Sequence, residues 1–143
     1  LPASLVCRTS GVFGIEARRK NFVWQVVDRL RAGDAVTAAD DQILCPTPAV
    51  ALAGALAGLL ARGAGGIVHV VGPEALSRAD FARRVARAFG FDERSVRGVA
   101  TGSLGLVAAR PRNTALADAR LRALLGGPLP PLDEALRSLR ASA

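Results

Sequence analysis

The chain contains no tyrosine and no methionine. Without a phenol, no reaction that needs a tyrosine acid can be completed by these residues alone. Without methionine, the sequence as given does not begin at a translation start, and Leu1-Pro2 is expected to be a cut inside a longer protein. His69 is the only histidine, so a thiol nucleophile would lack an evident base. The two cysteines, Cys7 and Cys45, fit no metal or redox spacing. No G-x-G-x-x-G or P-loop spacing occurs, which excludes the familiar phosphate-cradling turns. The longest apolar run, Pro48 to Ala61, is too short and too rich in alanine and glycine to span a bilayer. No basic segment precedes a hydrophobic core at the start, so a signal peptide is not expected. These absences predict a soluble cytoplasmic protein without a membrane partner.

What is present suits one globular domain. Half of the 143 residues are apolar, enough for a single domain-sized core over residues 1–143. The formal net charge of +7 invites a nucleic-acid reading. Yet Lys20 is the only lysine among 19 basic residues, and the arginines are scattered over predicted helices. That pattern looks like coding bias as much as a phosphate-binding face, and a nucleic-acid partner is not expected.

The most polar stretch of the chain, Asp40 to Pro48, packs two carboxylates, an amide, a thiol and a hydroxyl into a few residues. Asp41 and Gln42 offer acceptors and donors that suit the hydroxyls and amides of a small ligand. Thr47 and Pro48 read as an N-cap and a first helical residue. The helix that follows is apolar nearly all round, which predicts burial on more than one side. Asp40 and Asp41 are adjacent, so on an extended chain they diverge and do not form an acid–base pair.

Around this loop the chain alternates between strand-like and helical spacing. Ser4 to Cys7 and Ile67 to Val71 are apolar runs expected to be strands buried on both faces. His69 alternates with Ile67 and Val71 and reads as a strand histidine. Phe22, Val26 and Leu30 predict an amphipathic helix with Asn21 as N-cap and Gly33 as its stop; Trp24 falls off the stripe. Ser77 predicts the cap of another helix, with Phe81, Val85 and Phe89 inside and Asp80–Arg84 paired outside. A helix-turn-helix would need its second helix from Ser95 to Gly102, which instead alternates like a strand. Leu116 to Leu125 and a segment from Pro131 read as the last helices. Arg110 could fork onto a phosphate or carboxylate, or pair with Asp41. The expected class is α/β with parallel pairing, and the apolar strands need neighbours from before Leu1.

In order, Arg8-Thr9-Ser10, Val12-Phe13-Gly14, Asn21-Phe22, Asp41-Gln42, Pro46-Thr47, Gly66 to Gly72, Phe81-Ala82, and Arg110-Pro111 with Asn113-Thr114 and Leu116 resemble the C-terminal half of dTDP-4-dehydrorhamnose reductases. These are extended short-chain dehydrogenases acting on sugar nucleotides. The resemblance covers nearly the whole chain and implies the C-terminal part of a Rossmann-like parallel sheet plus a small α/β substrate-binding lobe. The N-terminal half, with the NADP or NAD site and a tyrosine–lysine pair, would be missing from this chain. By the same resemblance Asn21, Phe22, Asp41, Gln42, Thr47 and Arg110 bind or shape the site of a nucleotide sugar. Arg8, Thr9 and Ser10 would approach the nicotinamide end. The family often carries tryptophan after Arg-Thr-Ser and an aromatic hydroxyl two positions on; here these are Gly11 and Phe13. The implied function is the substrate-binding half of an NAD(P)-dependent sugar-nucleotide reductase, with no catalytic residue of its own. The alternatives are a non-catalytic subunit like the regulatory subunits of methionine adenosyltransferase, and a sugar-nucleotide epimerase relative. The expected partners are the nucleotide sugar, the N-terminal half and a second copy in a homodimer.

Overall fold

In the computed structural model, which describes residues 4–105 and 107–143, the apolar periodicities become two cores joined by the polar loop. Leu1 and Pro2, where a cut was expected, lie outside the described residues. The elements in order are β1 (Leu5–Arg8), β2 (Val12–Phe13), α1 (Phe22–Arg31), β3 (Val36–Ala39), β4 (Ile43–Leu44), β5 (Thr47–Pro48) and α2 (Ala49–Ala61). They continue with β6 (Gly66–His69), β7 (Leu76–Ser77), α3 (Arg78–Phe89), β8 (Val96–Val99), α4 (Ala119–Leu125) and α5 (Leu132–Ala141).

The first core belongs to a parallel pair, β1 with β6, in which Leu5 is opposite Gly66 and Arg8 is opposite His69. Val68 and Val70 pack with Leu5 and Cys7 against Ala55 and Leu59 of α2 and Leu121 of α4. The second core is a lobe centred on α3. Its inner stripe of Phe81, Ala82 and Val85 meets Val23, Val26 and Val27 of α1 and Leu132 and Leu136 of α5, with β3 and β8 paired in parallel beside it. Phe81 lies 5.6 Å from Phe13 and 5.3 Å from Phe22, ring centre to ring centre, so the aromatic side chains tie the entry loop to both helices. Among the described residues the strands form four two-stranded pairs, three parallel and one, β4 with β7, antiparallel, in a mixed α/β arrangement. Val96–Val99 is a strand, which removes the helix-turn-helix reading.

Local signals that depend on neighbours in sequence took their expected form. Ser77 Oγ accepts the Asp80 backbone N–H at 3.0 Å and caps α3. Gly33 has φ 84°, the left-handed turn expected just past α1. Asp133 and Glu134 lie in the first turn of α5, where they complement the helix dipole.

Several expectations need correction. Thr47 does not cap α2: it is a strand residue, Pro48 takes the cap position, and no side chain caps the helix. Asn21 does precede α1, but its side chain makes no capping bond and donates to Gly14 O at 2.8 Å instead. Asp80 pairs with Arg83 and not with Arg84, which turns to Glu74 and Asp133. The helix after Leu116 begins only at Ala119. β1 and β6 are covered on one face only, leaving Val6 49% and Ile67 46% exposed. Likewise α2 buries only Ala55 and Leu59, while Val50 and Leu60 lie open. The expected burial on both faces of the strands and on several sides of α2 is not supplied by the described residues.

Candidate functional site

The site is built where the two cores meet, beyond the carboxyl end of β1. In open parallel sheets that is where ligands bind. β1 ends at Arg8, and the chain then turns through Thr9, Ser10 and Gly11, which has φ 55°. A Cβ on Gly11 would come within 2.6 Å of the movable Leu44 Cδ1, and the positive φ is what favours glycine here over a residue with a side chain.

Thr47 locks the turn to the second core. It is fully buried, and its hydroxyl lies 2.7 Å from Ser10 O and 3.0 Å from Cys45 O, both acceptors for its proton. The Gly72 backbone N–H donates to the same oxygen at 3.2 Å. Thr47 is therefore turned away from the helix: Pro48 holds the cap position, and the Thr47 hydroxyl donates toward the Ser10 and Cys45 carbonyls and accepts from Gly72. Thr47 shapes the loop from within. Ser10 is similarly committed, since its Oγ accepts the Cys45 N–H at 3.4 Å.

Gln42 and Arg110 come together in a cleft of about 180 Å³, with Gly11, Arg78 and Thr114 among its other lining residues. Arg110 reaches it because the segment after it docks on β4. Ile43 donates its N–H to Arg112 O at 2.7 Å, and Thr114 returns an N–H to Ile43 O at 2.9 Å. Gln42 is only 9% exposed, and its Nε2 is buried without a partner. Asn21 Oδ1 is the other such atom among the described residues. Buried polar atoms are nearly always satisfied, so an orphan donor and an orphan acceptor need an explanation. Phe22 belongs to the same region through Arg78, whose guanidinium carbon sits 4.4 Å above the Phe22 ring.

Asp41 stands apart from Arg110. Its Oδ1 accepts from both the backbone N–H (2.8 Å) and the hydroxyl of Thr101, and these bonds hold its carboxyl below the usual carboxylate range. The arginine nearest to it is Arg112, at 4.0 Å. Asp41 is thus a brace for the turn at Thr101. Arg8 and Thr9 are exposed at the end of β1. His69 Nδ1 lies 3.2 Å from Ala117 O, the satisfied strand histidine that its alternation suggested. Cys45 is buried, with its Sγ 3.8 Å from Leu116 O.

Sequence reasoning missed Arg78. It is the first residue of α3, directly after the Ser77 cap, and its backbone N–H donates to Gln42 O at 3.0 Å. Burial first, and then the neighbouring charge of Arg110, lower its affinity for its proton. Its position as a basic residue at the start of a helix, against the dipole, was the available signal.

The sequence matches the RmlD substrate binding domain over residues 1–142. The chain belongs to that family. A relative by sequence is the probable low-salt glycan biosynthesis reductase Agl14 of Haloferax volcanii. It is 30% identical over 145 residues, which cover 99% of this chain and 48% of that protein. Among solved structures, dTDP-4-dehydrorhamnose reductase from Bacillus anthracis, in complex with NADP, superposes with a TM-score of 0.86 at 25% identity. The match covers 97% of this chain and 48% of that one. A hypothetical dTDP-4-dehydrorhamnose reductase from Sulfolobus tokodaii gives 0.77 at 31% identity, over 93% of this chain and 46% of that one. This RmlD domain therefore spans about half the length of the relatives it matches. No helix among its described residues is long and apolar enough to cross a membrane.

Proposed function

We propose that this RmlD domain is the substrate-binding half of an NAD(P)-dependent sugar-nucleotide reductase and is not catalytic by itself. The observation that carries this reading is the pair of buried, unpartnered polar atoms, Gln42 Nε2 and Asn21 Oδ1. One donates and the other accepts, which suits sugar hydroxyls, since these do both. Arg110 is exposed at the mouth of the cleft, where it can close on a phosphate. Asp41 and Thr47 would hold the loop that presents these groups, and Phe22 would support its wall.

A nicotinamide cofactor, when bound, supplies the hydride for reduction of a sugar ketone. Arg8 and Thr9 fit its edge, being exposed at the end of a parallel strand; Ser10, buried and bonded to the loop, would only position them. The chain has no glycine-rich phosphate turn, so it would supply one wall of that site. The remaining wall and the proton donor would come from an N-terminal half.

The test is spectrophotometric, on the intact protein. Nicotinamide absorbance should fall when a dTDP-4-keto-6-deoxy sugar is added with NADPH or NADH. Gln42→Leu should raise KM about tenfold or more, because it removes a hydrogen-bond donor from a site built to use it. Interconversion of sugar epimers without net cofactor oxidation would favour the epimerase relative. Tight binding of another protein with no turnover would favour a regulatory subunit.

A further inference from the structure

The cleft beside Gln42 is lined by two arginines and no carboxylate. Among the described residues, neither Arg78 nor Arg110 takes part in an ion pair; of the arginines without one, Arg78 alone is part-buried, the others being exposed. The two differ in setting. Arg110 is exposed and lies on a segment docked at the edge of β4, whereas Arg78 is part-buried, stacked on Phe22 and anchored through its backbone to Gln42. Like charges converging in a partly desolvated space repel each other, and a guanidinium withdrawn from water without a counter-charge is costly. Gln42, which lines the same cleft, has its Nε2 buried and without a partner, a third donor available beside it. Thr114, the other polar side chain there, has its hydroxyl turned to Ile43 O at 3.1 Å.

We infer that Arg78, with Gln42 Nε2 and Arg110, forms an oxyanion cradle, and that Arg78 is its fixed, specificity-determining member. The inference rests on the sugar-nucleotide reading and adds to it which group of the ligand enters this cleft. The occupant is a multiply oxygenated anion, which accepts from several donors at once and cancels the repulsion between the arginines. A nucleotide sugar can offer such a group from two sources: its diphosphate, or a carboxylate on an acidic sugar. Arg78 is pre-ordered by its stack on Phe22, so it loses little freedom on binding, while Arg110 closes from outside.

Calorimetry on the intact protein, at low and high salt, separates these cases. The probes are inorganic pyrophosphate, UDP, dTDP, UDP-glucose and UDP-glucuronate. For a diphosphate occupant, Arg78→Ala should weaken nucleoside diphosphate and pyrophosphate binding about 10- to 100-fold and flatten its salt dependence. Arg78→Lys should recover only part of the loss, because lysine neither forks nor stacks as arginine does. For a carboxylate occupant, Arg78→Ala should leave UDP binding intact and erase a preference for UDP-glucuronate over UDP-glucose. Thermal melts of both variants, with Gln42→Leu as a second probe of the same cradle, control for folding. If Arg78→Ala melts like wild type and binds every probe with unchanged affinity and salt dependence, the cradle is overturned while the sugar-nucleotide reading stands. If the anions bind through Arg78 but no sugar nucleotide is bound or reduced, the cradle stands and that reading fails.

Discussion

Gly72 shows how little room the site leaves at the scale of one residue. A Cβ there would fall 2.0 Å from Pro46 O, an approach that backbone cannot yield to cheaply, and the Gly72 N–H is also the donor to Thr47. Gly72→Ala should destabilise the protein by about 2 kcal/mol, seen as a lower denaturant midpoint at constant slope. Val71→Ala, one position earlier, serves as a comparison, since it removes buried volume without adding a clash. An unchanged midpoint for Gly72→Ala would contradict the locked turn. The same residues show what a sequence reader can and cannot find. Asn21, Gln42 and Arg110 were legible as polar groups set in a recurring order of motifs. Arg78 was not, because its meaning depends on Phe22 beneath it and Arg110 opposite. Thr47 was misassigned because Pro48 takes the cap position and the Thr47 hydroxyl turns to Ser10, which lies far off in sequence, and to the Gly72 N–H.

Among the elements, α3 and α5, already packed through their apolar faces, are also joined by the ion pairs of Arg84. Arg84 donates Nε to Asp133 at 2.8 Å and pairs through its other arm with Glu74, which also accepts the Leu132 N–H at 2.9 Å. Burial alone would push the Glu74 carboxyl up, but its bonds from Arg84 and Leu132 outweigh that and hold it below its ordinary value of 4.5. Asp133 is held below 3.8, chiefly by the Arg84 hydrogen bond. A carboxyl whose folded pKa is depressed stabilises the fold above its unfolded pKa, and the contribution fades as pH falls through the folded value. Glu74→Gln should therefore lower stability by roughly 1 kcal/mol at neutral pH, a small figure because the pair is partly exposed. The gap from wild type should stay constant well above 4.5, the ordinary value for Glu74, and close as pH falls below it through the lowered folded value. Denaturant titrations across that range would detect it, and a gap that widened on acidification would overturn the assignment. The stripe of Phe81 and Val85 was legible from helical spacing. The partners of Arg84 were not, because Glu74 and Asp133 are remote from each other in sequence.

At the scale of the whole molecule, the open faces dominate. Val6 and Ile67 are about half exposed on the uncovered side of the β1–β6 pair, and Val50 on α2 is 85% exposed. Expressed alone, residues 1–143 should associate in a concentration-dependent way on size exclusion, and Val6→Thr with Ile67→Thr should shift the chain toward monomer without melting its strands. A compact monomer with a cooperative melt for the unsubstituted chain would contradict this. The apolar runs of β1, β6 and α2 could be recognised from their composition, because composition marks a surface that must be covered. Which element covers it is a long-range property, and the short patterns along the chain do not encode it.

The indole of Trp24 has one more use. It is the sole tryptophan in a chain without tyrosine, it is buried, and its Nε1–H is held by Gly14 O at 2.9 Å. That carbonyl also receives the side chain of Asn21, and Arg19 lies 4.0 Å over the indole ring. The ultraviolet emission of this domain therefore comes from a single chromophore wired to the residue with the orphan acceptor. A ligand that recruits Asn21 should perturb that bond network and with it the colour and lifetime of the emitted light, so that occupancy can be followed without a label.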